Sequence, residues 1–252
     1  MHIVSVIILT KNREAQLPAA LTSITNQTFS DVELVVVNDG SSDATSAVLA
    51  RLREVVPTVK IITHPTSIGI TRSRQEALQA STGTYVALLD DDDIWLDTRK
   101  LQKQVQYLDE HPDTVLLGGA MEIADGKTIM EQSKKVFRPE SDQTIRRTML
   151  FRNNFFTSTV MFRREVALAV GGFKSDGEDF AEDYDLWLRL GLRGRMYNFP
   201  EVFVRYRQSL YTKGRFQSFL RKQLRLIRAY SGRYPWLRLA SAFLRVRLYL
   251  NF

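Results

Sequence analysis

The sequence predicts an α/β fold, a Rossmann-like sheet covered by helices, with a basic amphipathic helical extension behind it. Three observations carry that prediction. Short β-branched apolar runs alternate with helical periodicity through the first half of the chain. The fourth of those runs opens directly into four consecutive aspartates, Asp90–Asp93. From Ser209 to Phe252 there are ten Lys/Arg and no Asp/Glu.

The elements follow in order. Ile3–Leu9 reads as a strand bounded by Thr10, Lys11 and Asn12, and Leu17, Ala20, Leu21 and Ile24 then recur at helical spacing. Val32–Val37 does not alternate, so it reads as a strand buried on both faces. It ends in Asn38-Asp39-Gly40-Ser41-Ser42-Asp43, a turn and helix N-cap signal. Val48, Leu49 and Leu52 continue a second helix, Val59–Ile62 is a third strand, Thr71–Ala80 a third helix and Tyr85–Leu89 a fourth strand. This β-α-β-α-β-α-β order implies a parallel sheet. A helix from about Asp97 to His111 is stopped by Pro112. Further on, Val115–Leu117, Thr128–Val136 and Ser158–Phe162 are candidate strands, Ala181–Leu192 is a helix, and Pro235 separates two basic helical stretches. The expected organisation is one domain over residues 1–208, in halves 1–112 and 113–208, and a tail over 209–252.

Composition narrows the chemistry. The 252 residues are 44% hydrophobic and 25% charged, the balance of a folded globular protein. There is no cysteine, which excludes disulfides and thiolate metal sites. Three scattered histidines, His2, His64 and His111, make no zinc-type site, so any metal would be a hard ion held by carboxylates. Neither a secretory signal nor an 18-residue apolar run is visible, and the expectation is a cytoplasmic protein. Net charge is +7, yet residues 1–208 hold 25 basic and 28 acidic residues, so the excess lies in the tail.

Three acidic motifs stand out. Four carboxylates at the C-terminal end of an apolar strand need a counter-cation or protons, and that strand end is where parallel α/β sheets bind ligands. The plainer reading is a solvated turn capping the next helix. Asp39 at the end of the second strand is placed to take hydrogen bonds from a ribose or base edge, and equally to form an Asx-turn. Glu182-Asp183-Tyr184-Asp185 opens a helix, where acids are favourable against the helix dipole, or where one of them serves as a general base.

Taken together, the motifs resemble family 2 glycosyltransferases of the GT-A fold, such as those assembling bacterial surface polysaccharides. The resemblance runs from about Val4 to Arg207. It rests on Val4–Arg13, on Gln27-Thr28-Phe29 with Glu33–Asp43, on Gly69-Ile70 with Arg74, on Asp90–Trp95 as the DXD region, and on Glu182–Leu190. It implies a mixed sheet flanked by helices, with a nucleotide-sugar-binding half over 1–112 and an acceptor-binding half over 113–208. It implies that Thr10, Asn12 and Glu14 line the nucleotide pocket, that Asp39 bonds the base or ribose, and that Arg74 lies near the nucleotide. Asp90 and Asp92 would form the DXD pair, Asp92 as direct ligand of Mg2+ or Mn2+ and Asp91 close to the ribose. Asp183 would be the catalytic base and Glu182 would shape the acceptor pocket, whereas Leu186, Trp187 and Leu188 read as core. Lys11 stands where the family often has an aromatic residue; Gln75 and Ala77 replace its usual asparagine and glycine, and Arg72 adds a charge.

The expected reaction is an inverting transfer from a nucleotide-sugar, a UDP-sugar first, to a glycan or lipid-linked glycan acceptor. The alternatives are a non-catalytic nucleotide-sugar-binding protein and a membrane adaptor on the same fold. In the tail, Phe216, Phe219, Leu220, Leu224 and Ile227 alternate with Arg221, Lys222, Arg225 and Arg228, and a second such stretch follows Pro235. Basic amphipathic helices with aromatic residues bind anionic membrane surfaces. That predicts a peripheral protein at the inner face of the cell membrane. The competing expectation is packing on the catalytic domain or on a second copy, a homo-oligomer. No nucleic-acid recognition motif is present.

Overall fold

The computed structural model describes residues 3–56, 58–124, 133–174, 181–207, 213–230, 232–235, 240 and 242. Strands β1 (Val4–Thr10), β2 (Val32–Asp39), β3 (Val59–His64) and β4 (Tyr85–Asp90) pair in parallel in the order 3-2-1-4. They are joined by helices α1 (Leu17–Thr25), α2 (Thr45–Val55) and α3 (Ile70–Ala80). These are the elements that the apolar runs predict, to within a few residues. Successive strand residues point to opposite faces, and the core divides accordingly. Ile7, Val35, Val37, Val86 and Leu88 pack on the side of α3, while Val6, Ile8, Leu34, Val36, Ala87 and Leu89 pack on the side of α1, α2 and helix α4 (Lys100–Glu110).

A buried polar knot holds the parallel strands in register. Glu33, 1% exposed, accepts from the Ser5 hydroxyl at 2.5 Å, Lys60 Nζ at 2.8 Å, and the backbone amides of Thr82 and Gly83. Burial penalises its charge, but these donors outweigh that and hold it down at about 2. Gly83 is required there, because a Cβ would stand 2.6 Å from the Ser5 nitrogen.

The second half widens the sheet and makes it mixed. Strand β8 (Met161–Arg163) runs antiparallel to β4, and β6 (Thr114–Ala124) antiparallel to β8. The long strand β9 (Arg195–Arg207) lies parallel to β6, with the two-residue β5 (Ile94–Trp95) on its far side and β7 (Lys134–Val136) on β6. The wholly parallel sheet implied by the β-α order therefore holds for four strands and gives way at β8. The expected strand at Ser158–Phe162 is instead one 3-10 turn, Thr157–Thr159, running into β8. Residues 128–132 of the strand expected at Thr128–Val136 lie outside the described residues, and its remainder contains β7. Short helices α5 (Asp142–Thr148) and α6 (Arg164–Ala169) lead to α7 (Glu182–Gly191), whose Leu186, Trp187 and Leu188 are fully buried, as their reading as core requires.

The tail's first helix, α8 (Lys213–Ala229), belongs to this core. Leu220 and Ile227 are buried in the cluster that holds Trp187 and Leu190, together with Tyr230, Tyr234 and Ala240 beyond the helix. Tyr230 donates to Asp185 and Tyr234 to the Leu188 carbonyl, each at 2.8 Å. The expectation that Leu220 and Ile227 face a membrane is thereby corrected: α7 offers an apolar surface closer at hand. Arg221, Arg225 and Arg228 lie exposed on the other face. The side chains of Phe216 and Phe219, and the apolar residues from Trp236 to Tyr249 other than Ala240, lie outside what is described. Among the described residues, no helix is long and apolar enough to cross a membrane. Ile227→Ala should therefore destabilise the fold by about 2–5 kcal/mol in urea unfolding. A loss below about 0.5 kcal/mol would mean that this side chain is not part of the core.

Candidate active site

The register of the parallel strands assembles the site. Thr10 stands beside Asn38, Leu9 beside Asp90, and Asp39 beside His64, so the ends of β1, β2, β3 and β4 share one edge. That is the edge at which open α/β sheets take ligands.

Asp90 ends β4, and the next three aspartates form a turn pinned from behind. Asp90 N–H donates to the Ser158 hydroxyl at 3.1 Å, and that hydroxyl donates to Asp93 Oδ2 at 2.5 Å. Arg207 N–H donates to Asp93 Oδ1 at 3.1 Å. Burial, reinforced by the charge on Asp90, pushes Asp93 up to about 8. Asp91 is pushed up to about 6, by burial first and by Asp92 and Asp90, with the Thr10 hydroxyl and Arg13 working against it. Arg13 lies across the turn, its guanidinium 3.4 Å from both Asp91 Oδ1 and Asp92 Oδ2.

Arg74 joins this turn to the start of α7. It is 5% exposed, reaches Asp90 Oδ1 at 2.7 Å with one terminal nitrogen, and pairs with Glu182 through the other. Burial opposes its charge, but Glu182, Asp90 and Asp183 outweigh that and raise it further. Glu182, also 5% exposed, is pushed up to about 7 by burial against the pull of Arg74. Ala181 takes a left-handed φ of 56°, which turns the chain sharply into α7. Asp183 accepts from the Thr157 hydroxyl at 2.8 Å and from Asn153 Nδ2 at 3.3 Å. Asp90 and Glu182, 92 positions apart in sequence, thus grip one guanidinium, with Asp183 next in the chain.

The other expected residues hold loops together. Asn12 Oδ1 accepts from Ser42 N–H at 2.8 Å and Glu14 Oε2 from Ala44 N–H at 2.7 Å, tying the loop after β1 to the one after β2. Asp39 accepts four bonds: from the Ser67 hydroxyl at 2.5 Å, Ile68 N–H at 2.8 Å, Gly69 N–H at 3.1 Å and His64 Nδ1 at 2.8 Å. These donors overcome the cost of burial and hold it down at about 2. Thr10 is buried beside Asp91. Gln75 braces Phe173 N–H at 2.7 Å, and Ala77 is core. Along the outer side of α3, Thr71, Arg72, Gln75, Glu76, Gln79 and Phe173 line a shallow groove of about 450 Å3, apart from the acidic turn. Sequence reading missed Arg13, Asn153, Thr157 and Ser158 as site residues; the polar stretch Asn153–Thr159 between apolar neighbours was the available signal for the last three.

Whether a divalent ion fits can be judged from the donors. Among the described residues no three His, Cys, Asp or Glu side chains form a group able to hold an ion. A closed, all-protein site is therefore not built there. Of the expected DXD pair, Asp90 has one oxygen on Arg74 and Asp92 lies 3.4 Å from the Arg13 guanidinium, with Asp91 crowded between them, a cluster of hard carboxylates already drawn toward cations. That set fits Mg2+ or Mn2+ bound by one or two carboxylates and completed by substrate phosphates.

Comparison with known proteins adds to this geometry. A model of glycosyl transferase family 2 matches residues 5–171. The chain is 31% identical to an uncharacterized glycosyltransferase of Haemophilus influenzae over 81% of its own length and 65% of that protein. It therefore spans less than two thirds of that relative. It is 30% identical to the amylovoran biosynthesis glycosyltransferase AmsE of Erwinia amylovora, over 90% of this chain and 85% of that one. The fold superposes on S. aureus TarS 1-349 in complex with UDP, with a TM-score of 0.73 at 20% identity, covering 98% of this chain and 72% of that one. It also superposes on the mannosyltransferase PcManGT from Pyrobaculum calidifontis in complex with GDP-Man and Mn2+, with a TM-score of 0.67 at 19% identity, covering 98% and 69%. The chain shares their GT-A fold.

Arg74→Met should leave Asp90 and Glu182 unpaired and lower stability by about 3–5 kcal/mol in urea unfolding at neutral pH. The loss should shrink as the pH is lowered and Glu182 takes up its proton. A loss independent of pH would show that the two carboxylates are not what Arg74 serves.

Proposed function

We infer the reaction from one established point: the chain belongs to glycosyl transferase family 2. The proposed activity is transfer of a sugar from a nucleotide-sugar donor, a UDP-sugar first, to an acceptor hydroxyl, with inversion at the anomeric carbon. The observation that carries it is the Arg74 bridge, which brings Asp90 of the acidic turn to Glu182, the neighbour of Asp183.

Asp92, with Asp90 as the other member of the DXD pair and Asp91 beside them toward the ribose, would hold Mg2+ or Mn2+, which when bound neutralises charge on the departing nucleoside diphosphate. Asp183 takes the proton of the acceptor hydroxyl as that oxygen bonds to the anomeric carbon. The bond from that carbon to the phosphate oxygen breaks, and its electron pair leaves with the diphosphate. Thr157 and Asn153 bond Asp183 Oδ2 and the Tyr184 N–H bonds Oδ1, so the carboxylate is held in one orientation from both sides. Glu182, held by Arg74 through Oε1, stands beside Asp183 and would shape the acceptor pocket. The ends of β1 and β2, with Thr10, Asn12, Glu14 and Asp39, form the floor for the nucleotide. Because Asp39 is already fully bonded, its part there is to shape the floor, and a base edge would have to displace the Ser67 hydroxyl to reach it.

A glycan acceptor, lipid-linked and used in surface-polysaccharide assembly, is supported by the relative named for amylovoran biosynthesis. Work at the inner face of the membrane draws support from the exposed arginines Arg221, Arg225 and Arg228.

A panel of nucleotide sugars with Mg2+ or Mn2+, read as released nucleoside diphosphate, tests the proposal. One donor should turn over, and Asp183→Asn should lower kcat by about 10²–10⁴. Asp92→Asn should abolish turnover in the same assay, while Thr157→Val should lower kcat by about tenfold with the donor KM unmoved. Turnover that survives both aspartate substitutions would remove the site assignment. Donor binding without any turnover would make the chain a non-catalytic binding module.

A further inference from the structure

His64, at the end of β3, is gripped on both sides. Its Nδ1 lies 2.8 Å from Asp39 Oδ1 and its Nε2 lies 2.8 Å from Glu76 Oε2. Carboxylates accept and do not donate, so both contacts are hydrogen bonds only when both ring nitrogens carry protons. The geometry is that of an imidazolium. Asp39 from β2 and Glu76 from α3 are the charged groups that face the ring, and the intervening loop presents the neutral Ser67.

What the ring holds is the nucleotide floor. Asp39 is the hub onto which Ser67, Ile68 and Gly69 fold. Gly69, at φ 93°, is the N-cap of α3, the helix that carries Arg74. Gly40, at φ 72°, packs its turn so tightly on this loop that a Cβ would stand 2.6 Å from the Ser67 nitrogen. A change in how Asp39 is held is therefore felt in the turn after β2, in the 66–69 loop and at the start of α3.

We propose that His64 is a positioning residue for the donor site: doubly protonated, it locks Asp39 and the 66–69 loop in the form that receives the nucleotide, and its deprotonation loosens that floor. The inference rests on the reading that the nucleotide lies over the ends of β1 and β2. Burial works against the ring's charge, but the bonds to Asp39 and Glu76 prevail and raise its pKa above the ordinary histidine value. The sign follows. A histidine raised in the folded state stabilises it fully below the unfolded pKa, and the contribution is lost as the pH rises through the folded one. Donor affinity should fall on the alkaline side.

The test uses the full chain, with UDP and Mg2+ as probe. Nitrogen-resolved NMR of the three histidines should show both ring nitrogens of His64 protonated at pH 7. Calorimetric binding of UDP should weaken about five- to tenfold between pH 7 and 8.5. Asp93 and Glu182 titrate in the same range, so the readout is the difference between wild type and variant. His64→Gln, which can satisfy only one neighbour as donor, should bind at the weaker level with that difference removed. Glu76→Gln, at a half-exposed position that tolerates the change, should lower the NMR midpoint of His64 and move the binding profile with it. An identical pH profile in wild type and His64→Gln would overturn the role of His64 and leave the transferase reading standing. A neutral His64 ring at pH 7 would do the same. No UDP binding to wild type at any pH would overturn both readings.

Discussion

The structure depends on one buried cation. Arg74 is carried on α3, an element of the parallel half, yet its two terminal nitrogens are taken by Asp90 at the end of β4 and Glu182 at the start of α7. An isolated guanidinium at this depth would be untenable, and so would Glu182 without it. Each therefore demands the other. The demand fixes where α7 begins relative to the sheet, and with it where Asp183 stands. The sheet supplies the ends of the strands. The ion pair supplies the relation between an acidic turn and an acid almost a hundred residues later.

The carboxylates of this protein fall into two kinds, and the difference is chemical. Glu33 and Asp39 are buried among donors, Ser5, Lys60, Thr82 and Gly83 for the first and Ser67, Ile68, Gly69 and His64 for the second, and both are held at about 2. They stabilise the fold above their unfolded pKa, and that contribution is lost as the pH falls through about 2. Asp91, Asp93 and Glu182 are raised, by burial first and by neighbouring carboxylates after it, to about 6, 8 and 7, Glu182 against the pull of Arg74. They cost stability as the pH rises from the unfolded carboxylate range up to those values, and no more beyond them. The first kind builds the scaffold. The second is charge the fold concentrates at the ligand edge of the sheet without fully compensating it.

Much of the parallel half was legible because its signals are local. Val32–Val37 can be nothing but a buried strand, and Asp90–Asp93 advertises itself by like-charge crowding. Strand β9 was hidden: Pro200 interrupts it, its pairing with β6 shifts register three times, and its burial does not alternate. Lys100 looks in sequence like a surface cation of α4, but it is fully buried over the Trp95 ring, 4.1 Å from its centroid. Thr157 and Asn153 orient Asp183 from a loop whose only local mark is polarity. The apolar run and turn signal put Asp39 at the end of β2, where it stands, but that pattern does not reveal that its acceptor positions are already taken by Ser67, Ile68, Gly69 and His64. Local pattern reports what a residue prefers; which partner reaches it is decided by strands and loops distant in sequence.

The tail makes the same point in its sharpest form. An amphipathic helix has one apolar face whether that face meets lipid or protein, so Leu220, Leu224 and Ile227 are equally good signals for both. What decides is whether the rest of the chain leaves an apolar surface uncovered within reach. Here α7 does: its Leu188 carbonyl and Asp185 carboxylate also supply acceptors for Tyr234 and Tyr230, so the polar atoms that enter with the apolar ones are satisfied. A lipid interior offers no such acceptors, and the protein surface wins that face. Among the described side chains of α8, Arg221, Arg225 and Arg228 face outward, spaced four and three residues apart along one stripe. Any attraction these three arginines exert on an anionic surface is one of charge, acting at the headgroups and weakened by salt.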